Sequence, residues 1–293
     1  MIVITTPTGD IGRQVVDRLL DAGEAVRAIV RDPSRLPKHV RANAEIVQGS
    51  HGDADTIAKA LEGADRMFWL VPPAGFRDAG DARHYYLDFT RHTAQEAAKR
   101  NVRMVGVTSL GRGYQDKAGL LSAALAMDEM IEASGVPYRA LALPFFMENL
   151  LRQAQGIKER KTITMANAAD RPLLTVATQD VADAAAALLL DTSWSGQTRV
   201  PLVGPDKLTP DAMADVISQT LGHTVRYHQV PLADFRATMV QRGASPALAQ
   251  DMADMVRAQN EGIYDVETRE AGSTTATGFR RWCRDILGPA VRA

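Results

Sequence analysis

A glycine-containing turn near the start of the chain has the residue types that a phosphate-binding site needs. It reads TPTGDIG over residues 6–12. In such a turn Gly9 would let the backbone approach a phosphate, and Gly12 would let a following helix pack tightly on its strand. Thr6 stands where the dinucleotide-binding pattern has its first glycine. The turn therefore predicts a pyrophosphate site, with a purely structural tight turn as the alternative.

A second candidate contact follows the next strand. Arg31 lies about 20 residues beyond the glycine turn, where dinucleotide-binding folds place the residue that meets the adenosine ribose. An arginine there can bind a 2′-phosphate through forked, charge-assisted hydrogen bonds, and Arg35 lies close enough in sequence to assist. This pattern favours NADP(H) over NAD(H). In the alternative, Arg31 is an ordinary exposed charge and Asp32 binds a 2′-hydroxyl.

Strands and helices alternate around these two contacts. Apolar β-type runs predict the strands Ile2–Thr5, Ala25–Val30, Ala44–Gln48, Arg66–Val71 and Val102–Thr108. Helical spacing predicts one helix from Ile11 to a glycine cap at Gly23, and further helices at Ala54–Leu61, His84–Arg100, Ala123–Ser134 and Thr178–Leu190, the last capped by Thr178. Alternating elements of this length predict a parallel sheet covered on both faces.

Composition excludes several classes of protein. The 34 basic and 35 acidic side chains give a formal net charge of −1, which offers no field for nucleic acid. The single cysteine excludes a disulfide framework, and the six histidines have no metal-ligand spacing, so we expect no metal. No apolar run approaches a membrane span, and the first residues do not resemble a signal peptide. We expect a cytoplasmic protein.

The chain resembles the NmrA-like branch of the atypical short-chain dehydrogenase/reductases. The resemblance covers nearly the whole sequence, through TPTGDIG, RDPSRL, VQGSHGDADTIAKALEGADRMFWLVPP, VRMVGVTSLG, EASGVPYRALALPFFMENL, TVATQDVADAAAALL and LTPDAMADVISQTLGHTVRYHQVPLADF. It implies an α/β, Rossmann-like doubly wound parallel sheet with a smaller C-terminal α/β substrate lobe. The implied division is an NAD(P)-binding domain at 1–150 and a lobe at 151–293, with 178–203 returning to the sheet.

The resemblance also implies which residues meet the cofactor. The pyrophosphate would be lined by Thr6, Thr8, Gly9, Asp10, Ile11 and Gly12, and the 2′-phosphate would face Arg31 and Arg35. Ser50 replaces an aspartate that the family usually has near the adenine, so that contact is altered. The ribose and nicotinamide would be flanked by Val71, Pro72, Thr108, Ser109, Pro144, Phe145 and Phe146.

Substrate contacts are implied at the same edge of the sheet. They would involve Phe146, Met147, Asn149 and Tyr85. For Phe145, Phe146 and Met147 the alternative is plain core packing. The loop Pro73–Asp81, which precedes Tyr85, could fold over the cleft and gate the substrate.

The proton-donating pair that short-chain reductases use is absent. That pair is a tyrosine followed four residues later by a lysine that lowers its pKa. None of the six tyrosines has a lysine at that spacing, and Met127 lies on the helix that would carry the pair. Tyr114 and Lys117 are three apart in a glycine-rich loop, and with Ser109 they are the remaining candidates. The catalytic residues therefore stay unknown at this point.

Three functions are compatible with the missing pair. The first is an NADPH-dependent oxidoreductase that passes hydride to a quinone-like or other conjugated small molecule, whose anionic product needs no strong protein acid. The second is a non-catalytic NADP(H)-sensing regulator with a protein partner. The third is a biosynthetic-pathway reductase of a specific enone, imine or ketone. A homodimer is left open in each case.

Overall fold

The computed structural model describes residues 1–72, 81–267 and 274–293. Its strands are β1 Ile2–Ile4, β2 Val26–Val30, β3 Glu45–Gln48, β4 Arg66–Trp69, β5 Arg103–Ser109, β6 Tyr138–Leu143, β7 Phe145–Phe146, β8 Thr162–Met165, β9 Leu173–Val176, β10 Gln197–Pro201, β11 Lys207–Leu208 and β12 Arg226–Gln229.

The helices follow in the same chain order. They are α1 Gly12–Asp21, α2 Lys38–Asn43, α3 Ala54–Ala60, α4 Ala82–Lys99, α5 Leu120–Ala133, α6 Ala154–Arg160, α7 Thr178–Leu190, α8 Pro210–Leu221, α9 Leu232–Gln241, α10 Pro246–Glu261, α11 Ile263–Val266, α12 Phe279–Trp282 and α13 Gly288–Arg292. Short 3₁₀ turns occupy Pro33–Arg35 and Met147–Gln153, and a π-helical turn at Cys283–Leu287 joins α12 to α13.

Within the described residues, seven strands form one parallel sheet in the order β3-β2-β1-β4-β5-β6-β10. The strand order reverses direction between β1 and β4, which is the arrangement of a doubly wound Rossmann-like sheet. Open sheets of this kind bind ligands at the carboxyl ends of their strands, beside the reversal. The predicted fold class is therefore confirmed.

Helices cover both faces of this sheet because successive strand residues point to opposite sides. In β1, Ile2 and Ile4 pack with α1 and α7, whereas Val3 packs in the layer formed with α3, α4 and α5. The sheet is thus apolar on both faces, as a buried parallel sheet must be.

The ends of α1 and α7 test two predicted caps. Gly23 follows α1 with a φ of 77°, so the predicted left-handed glycine cap is confirmed. Thr178 is the first residue of α7, and the residue at its N-cap is Ala177, so the predicted threonine cap is wrong. The backbone N–H of Thr178 instead donates to Glu148 Oε2 at 3.0 Å. The carboxylate of Glu148, 30 residues away in the chain, therefore supplies the hydrogen-bond acceptor that Thr178 itself was expected to supply.

The C-terminal part of the chain adds a further apolar cluster, the C-terminal cluster, and returns to the sheet. β11, β9 and β7 form a small sheet, and β12 pairs with β8. Their core also contains residues of α8, α11 and α12. Between these elements, α7 reaches α1 through an ion pair from Arg18 Nε to Asp183 Oδ1 at 2.5 Å, and β10 pairs with β6. This arrangement places the C-terminal elements against the carboxyl ends of β5 and β6.

Candidate active site

The carboxyl ends of β1, β2, β4, β5 and β6 lie along one edge of the sheet, and the sequence-predicted site residues follow these ends. Thr5 ties two of the ends together. Its hydroxyl donates to the Phe68 carbonyl at 3.1 Å and accepts the Leu70 N–H at 3.0 Å. The edge is therefore fixed at the strand reversal, where a ligand is expected.

The turn after β1 folds back on its own carbonyl. Gly9 N–H donates to the Thr6 carbonyl at 3.0 Å, and a Cβ at Gly12 would overlap that carbonyl oxygen and lie 2.8 Å from its carbon. Ile11 stands at the N-cap of α1, where no side chain among the described residues caps the helix and no acid occupies its first turn. The positive end of α1 is thus left for an external anion.

Thr6 has the backbone conformation that a glycine would adopt at this position. Its φ is 49°, in the left-handed region that a β-branched residue rarely enters. Its Oγ1 is buried and has no hydrogen-bond partner within the described part of the chain. A strained residue with a buried, unpaired hydroxyl fits a place where a ligand oxygen completes the bonding.

In the segment after β2, Asp32 and the two arginines, Arg31 and Arg35, have different surroundings. Asp32 accepts hydrogen bonds from Ser34 N–H at 3.0 Å and from Ser34 Oγ at 2.7 Å. The Ser34 bonds, the hydroxyl's foremost, lower the pKa of Asp32. Asp32 therefore caps the 3₁₀ turn at Pro33–Arg35, while the side chains of Arg31 and Arg35 are exposed at the edge.

Ser50 and its neighbour His51 lie beyond β3. Ser50 Oγ accepts the Gly52 N–H at 3.2 Å, so its hydroxyl stabilises the local turn. His51 is buried edge-on against the rings of Trp69 and Phe89, with centroid separations of 5.3 and 4.6 Å. Burial lowers the pKa of His51 to about 4, so the ring is neutral at pH 7.

The end of β4 meets the start of α4. Val71 is buried, and the Tyr85 hydroxyl donates to the Pro72 carbonyl at 3.4 Å. Burial raises the pKa of Tyr85. Asp81 begins α4 by accepting the N–H groups of Arg83 and His84, which is why this helix starts two residues before the predicted His84. The proposed gating loop Pro73–Asp81 lies, except for Asp81, outside the described residues.

The candidates at the end of β5 are buried. Thr108 Oγ1 donates to the Ala124 carbonyl at 3.2 Å, and Ser109 Oγ donates to the Leu110 carbonyl at 2.7 Å. Both residues are about 5% exposed. Their hydroxyl groups are therefore committed to the backbone.

The Tyr114 and Lys117 candidates have different hydrogen-bond partners. The Tyr114 hydroxyl donates to Glu261 Oε2 at 2.5 Å, and partial burial together with this bond raises the pKa of Tyr114 to about 12. Lys117 is exposed, and its carbonyl accepts Arg257 Nη2 at 2.9 Å. A phenol with a raised pKa that is bonded to a carboxylate is a poor acid.

The segment after β6 divides its side chains between two cores. Phe145 packs against the C-terminal cluster and Phe146 against the core beneath α1 and α7. Alternation along β7 accounts for this, so the two rings line different faces. Pro144 is buried and Asn149 is partly exposed. Met147 is fully buried, in agreement with the core-packing alternative, and its substrate contact stays a prediction.

A buried charge cluster is the part of this edge that the sequence analysis missed. Asp128 on α5 has no exposed surface and bonds to the guanidinium groups of Arg199 and Arg112. Arg199 also pairs with Glu267, 2.7 Å from Nε to Oε1. The available signal was the acidic Asp128 inside the apolar segment of α5, because charges are seldom buried unless they are paired.

The edge fits a dinucleotide. The uncapped end of α1, the close backbone approach at Gly12 and the unpaired Thr6 hydroxyl match a pyrophosphate, and two exposed arginines lie beside the next strand end. Comparison with protein families agrees. A model described as NAD(P)H-binding matches residues 7–192, and one described as the NmrA-like family matches residues 120–280. The chain belongs to the NmrA-like family.

Two named relatives of this NmrA-like chain are reductases. It is 30% identical over 96% of both chains to the (4-alkanoyl-5-oxo-2,5-dihydrofuran-3-yl)methyl phosphate reductase of Streptomyces griseus. It is 26% identical over 90% of both chains to quinone oxidoreductase 2 of Escherichia coli. The NmrA-like chain is accordingly an NAD(P)H-dependent oxidoreductase.

A solved structure shares the fold of the NmrA-like chain. It is an NADPH-dependent quinone oxidoreductase from Escherichia coli in complex with NADPH. The two chains superpose with a TM-score of 0.78 at 23% identity, over 100% of this chain and 99% of that one.

Across residues 1–72, 81–267 and 274–293 of the NmrA-like chain, no helix is both long and apolar enough to span a bilayer. The same residues contain no group of three histidine, cysteine, aspartate or glutamate side chains arranged to hold a metal ion.

Proposed function

We propose that this protein is an NADPH-dependent reductase that transfers hydride to a quinone-like or other conjugated small molecule without a tyrosine–lysine pair. The observation that carries the proposal is the lack of a free acid among the described residues at the end of β5. Met127 is fully buried, Ser109 bonds to a backbone carbonyl, and Tyr114 bonds to a carboxylate. A substrate that needs a strong protein acid is poorly served by such a site.

Conjugated acceptors suit these surroundings. When bound, a reduced nicotinamide supplies a hydride. The acceptor then carries a delocalised negative charge, and water can protonate it. What the protein contributes is orientation, through the turn at 6–12, the strand ends and the residues that line the cleft. Named relatives support the same class, since one is a quinone oxidoreductase.

For the cofactor, we propose a preference for NADPH over NADH. Asp32 is occupied by Ser34, so the acid that would favour a 2′-hydroxyl is committed to the local turn. Arg31 and Arg35 are exposed on either side of it. Guanidinium groups bind phosphates bidentately, which favours a 2′-phosphate at this position.

A conjugated lactone or enone is a second candidate acceptor within the same chemistry. It is favoured by the relative that covers 96% of both chains, whose name specifies an alkanoyl-substituted oxo-dihydrofuran. Quinones and unsaturated lactones both accept hydride at a conjugated carbon or oxygen. A biosynthetic role would follow from a strong preference for one such lactone.

Oxidation of NADPH with a panel of acceptors tests the proposal. The panel contains 1,4-naphthoquinone, an α,β-unsaturated lactone and a simple saturated ketone, with enzyme-free reactions as blanks. We expect steady oxidation of NADPH with the first two acceptors and none with the ketone, which requires a proton donor. Transfer of deuterium from only one face of 4-deuterated NADPH would identify enzymatic hydride transfer. Tight NADPH binding without turnover would contradict the reductase and favour the sensing regulator.

A further inference from the structure

The loop that follows β5 bonds to the carboxylate of Glu267, which lies 156 residues beyond Gly111 in the chain. Glu267, immediately after α11, uses Oε2 to accept the Gly111 N–H at 3.0 Å and the Arg112 N–H at 3.3 Å. Burial raises the pKa of Glu267, but hydrogen bonds and charge from Arg199 outweigh burial, and the net pKa is lowered. Glu267 is therefore an anion that stabilises two backbone donors of this loop.

Arg199 on β10 joins this carboxylate to the last residue of β5. Its Nε donates to Glu267 Oε1 at 2.7 Å and its Nη2 to Glu267 Oε2 at 3.0 Å, which is a forked pair. The same Nη2 also donates to the Ser109 carbonyl at 2.9 Å. One guanidinium thus fixes both Glu267 and the strand end.

The fully buried Asp128 supports the pair from beneath. It bonds to Arg199 Nη1 and, at 2.7 Å, to Arg112 Nη2. Asp128 and Glu267 therefore bind different nitrogens of Arg199, and together they restrict the orientation of its guanidinium group. Removing one partner of such a pair costs more than the pair itself contributes, because a charge is left buried and unpaired.

Close packing against Ile263 restricts the backbone of this loop at Gly111. Gly111 has a φ of 108°, and a Cβ there would overlap Ile263 and lie 2.9 Å from its Cδ1. Ile263 belongs to α11, the helix that leads to Glu267. The backbone at Gly111 therefore packs against the helix that immediately precedes Glu267.

We propose that Glu267 is a positioning residue which, through Arg199, sets the acceptor-facing end of β5. It acts on the Ser109 carbonyl and on the loop at Gly111 and Arg112, and does not touch the phosphate-binding turn at 6–12. The inference rests on the proposed function, since it concerns where the acceptor meets the strand end. It predicts that Glu267 governs acceptor binding and leaves cofactor binding nearly unchanged.

A matched ion pair at the opposite edge of the sheet provides the control. Arg66 Nη2 donates to Glu24 Oε2 at 3.0 Å, and this arginine is also largely buried. Arg66 begins β4, whereas Ser109 ends β5, so the two pairs lie at opposite ends of parallel strands. Glu24→Gln breaks a similar pair without reaching the acceptor edge.

The experiment compares Glu267→Gln, Glu267→Asp and Glu24→Gln with the wild type. With 1,4-naphthoquinone and saturating NADPH, we expect Glu267→Gln to lower kcat/KM by about 10- to 100-fold, because the displaced strand end and loop would bind the acceptor less well. The loss should lie mainly in KM, and the NADPH dissociation constant should change less than about threefold. Glu267→Asp keeps the charge and should recover part of the loss. Glu24→Gln should leave both constants unchanged.

Two kinetic outcomes overturn the inference. One is an equal fall in kcat/KM for Glu267→Gln and Glu24→Gln, which would make the cluster a matter of general stability. The other is a Glu267→Gln enzyme with a lower Tm and wild-type kinetics.

A binding measurement keeps the inference testable if the proposed function fails, that is, if the wild type oxidises no NADPH. Naphthoquinone binding is then measured by quenching of tryptophan fluorescence. Weaker binding in Glu267→Gln than in Glu24→Gln supports the inference, and equal or absent binding overturns it.

Discussion

The Thr6 carbonyl occupies the space that a side chain on Gly12 would need. A Cβ at Gly12 would overlap the Thr6 carbonyl oxygen and lie 2.8 Å from the carbonyl carbon and 3.1 Å from the Thr5 oxygen. This contact packs the first turn of α1 against the end of β1. The spacing of the turn is therefore fixed by backbone contact, and both residues can be tested by substitution.

Gly12→Ala should destabilise the protein and weaken NADPH binding. The added methyl group meets rigid backbone, and overpacking of this kind costs about 1–3 kcal/mol. Thermal unfolding followed by circular dichroism and NADPH fluorescence titration would measure the two effects. Gly156→Ala is the control, because a Cβ there approaches only the flexible end of Arg160. A Gly12→Ala protein that binds NADPH like the wild type would remove the turn from the cofactor site.

Thr6→Gly should separate stability from affinity. Glycine relieves the left-handed strain of Thr6 and removes its buried, unpaired hydroxyl, effects worth about 1–3 kcal/mol each, while a more flexible unfolded chain offsets about 1 kcal/mol. The net gain of about 1–5 kcal/mol should raise the Tm by at least about 2 °C. NADPH should nevertheless bind more weakly, because a hydroxyl that could donate to the phosphate is lost. If affinity does not fall, Thr6 has no role in binding the cofactor.

The features of the fold that could be predicted from the sequence are those that depend on residues adjacent in the chain. The strand ending at Ile4, the glycine turn and the Gly23 cap follow from residues adjacent in sequence. The Thr178 cap failed because a carboxylate 30 residues away, Glu148, supplies the acceptor. The pairing within the Arg199 cluster likewise could not be predicted, since the partners Asp128 and Glu267 lie 71 and 68 residues from Arg199. Contacts of that separation depend on topology, which no local pattern contains.

Arg31→Ala should weaken NADPH much more than NADH. A charged hydrogen bond contributes about 1.5–3 kcal/mol, which corresponds to roughly 10- to 150-fold in the NADPH dissociation constant. NADH lacks the 2′-phosphate and should lose little. Titration of both cofactors into Arg31→Ala and into Arg226→Ala, an exposed charge on β12, separates a local contact from a general change in charge. An equal loss for NADPH and NADH would contradict the 2′-phosphate assignment.

Tyr114→Phe should leave the rate of NADPH oxidation unchanged. Its hydroxyl is bonded to Glu261 Oε2 at 2.5 Å on the exposed side of the loop, and its pKa is raised to about 12. Loss of this partly exposed bond should lower stability by about 1 kcal/mol or less. The measurements are kcat with a quinone acceptor and the Tm. A tenfold or greater fall in kcat with an unchanged Tm would restore Tyr114 as the proton donor.

His51 should make the protein less stable as the pH falls below about 6.5. Its pKa is near 4 in the folded protein because of burial and 6.5 when exposed, so the unfolded chain binds the proton more readily between these values. The full contribution is present above pH 6.5, and about 3 kcal/mol is lost by pH 4. Urea unfolding at pH 7, 5 and 4 should therefore show a shallower decline for His51→Gln than for the wild type. The exposed His228→Gln serves as control, and equal slopes for all three proteins would mean that His51 becomes protonated in the fold at its ordinary pKa.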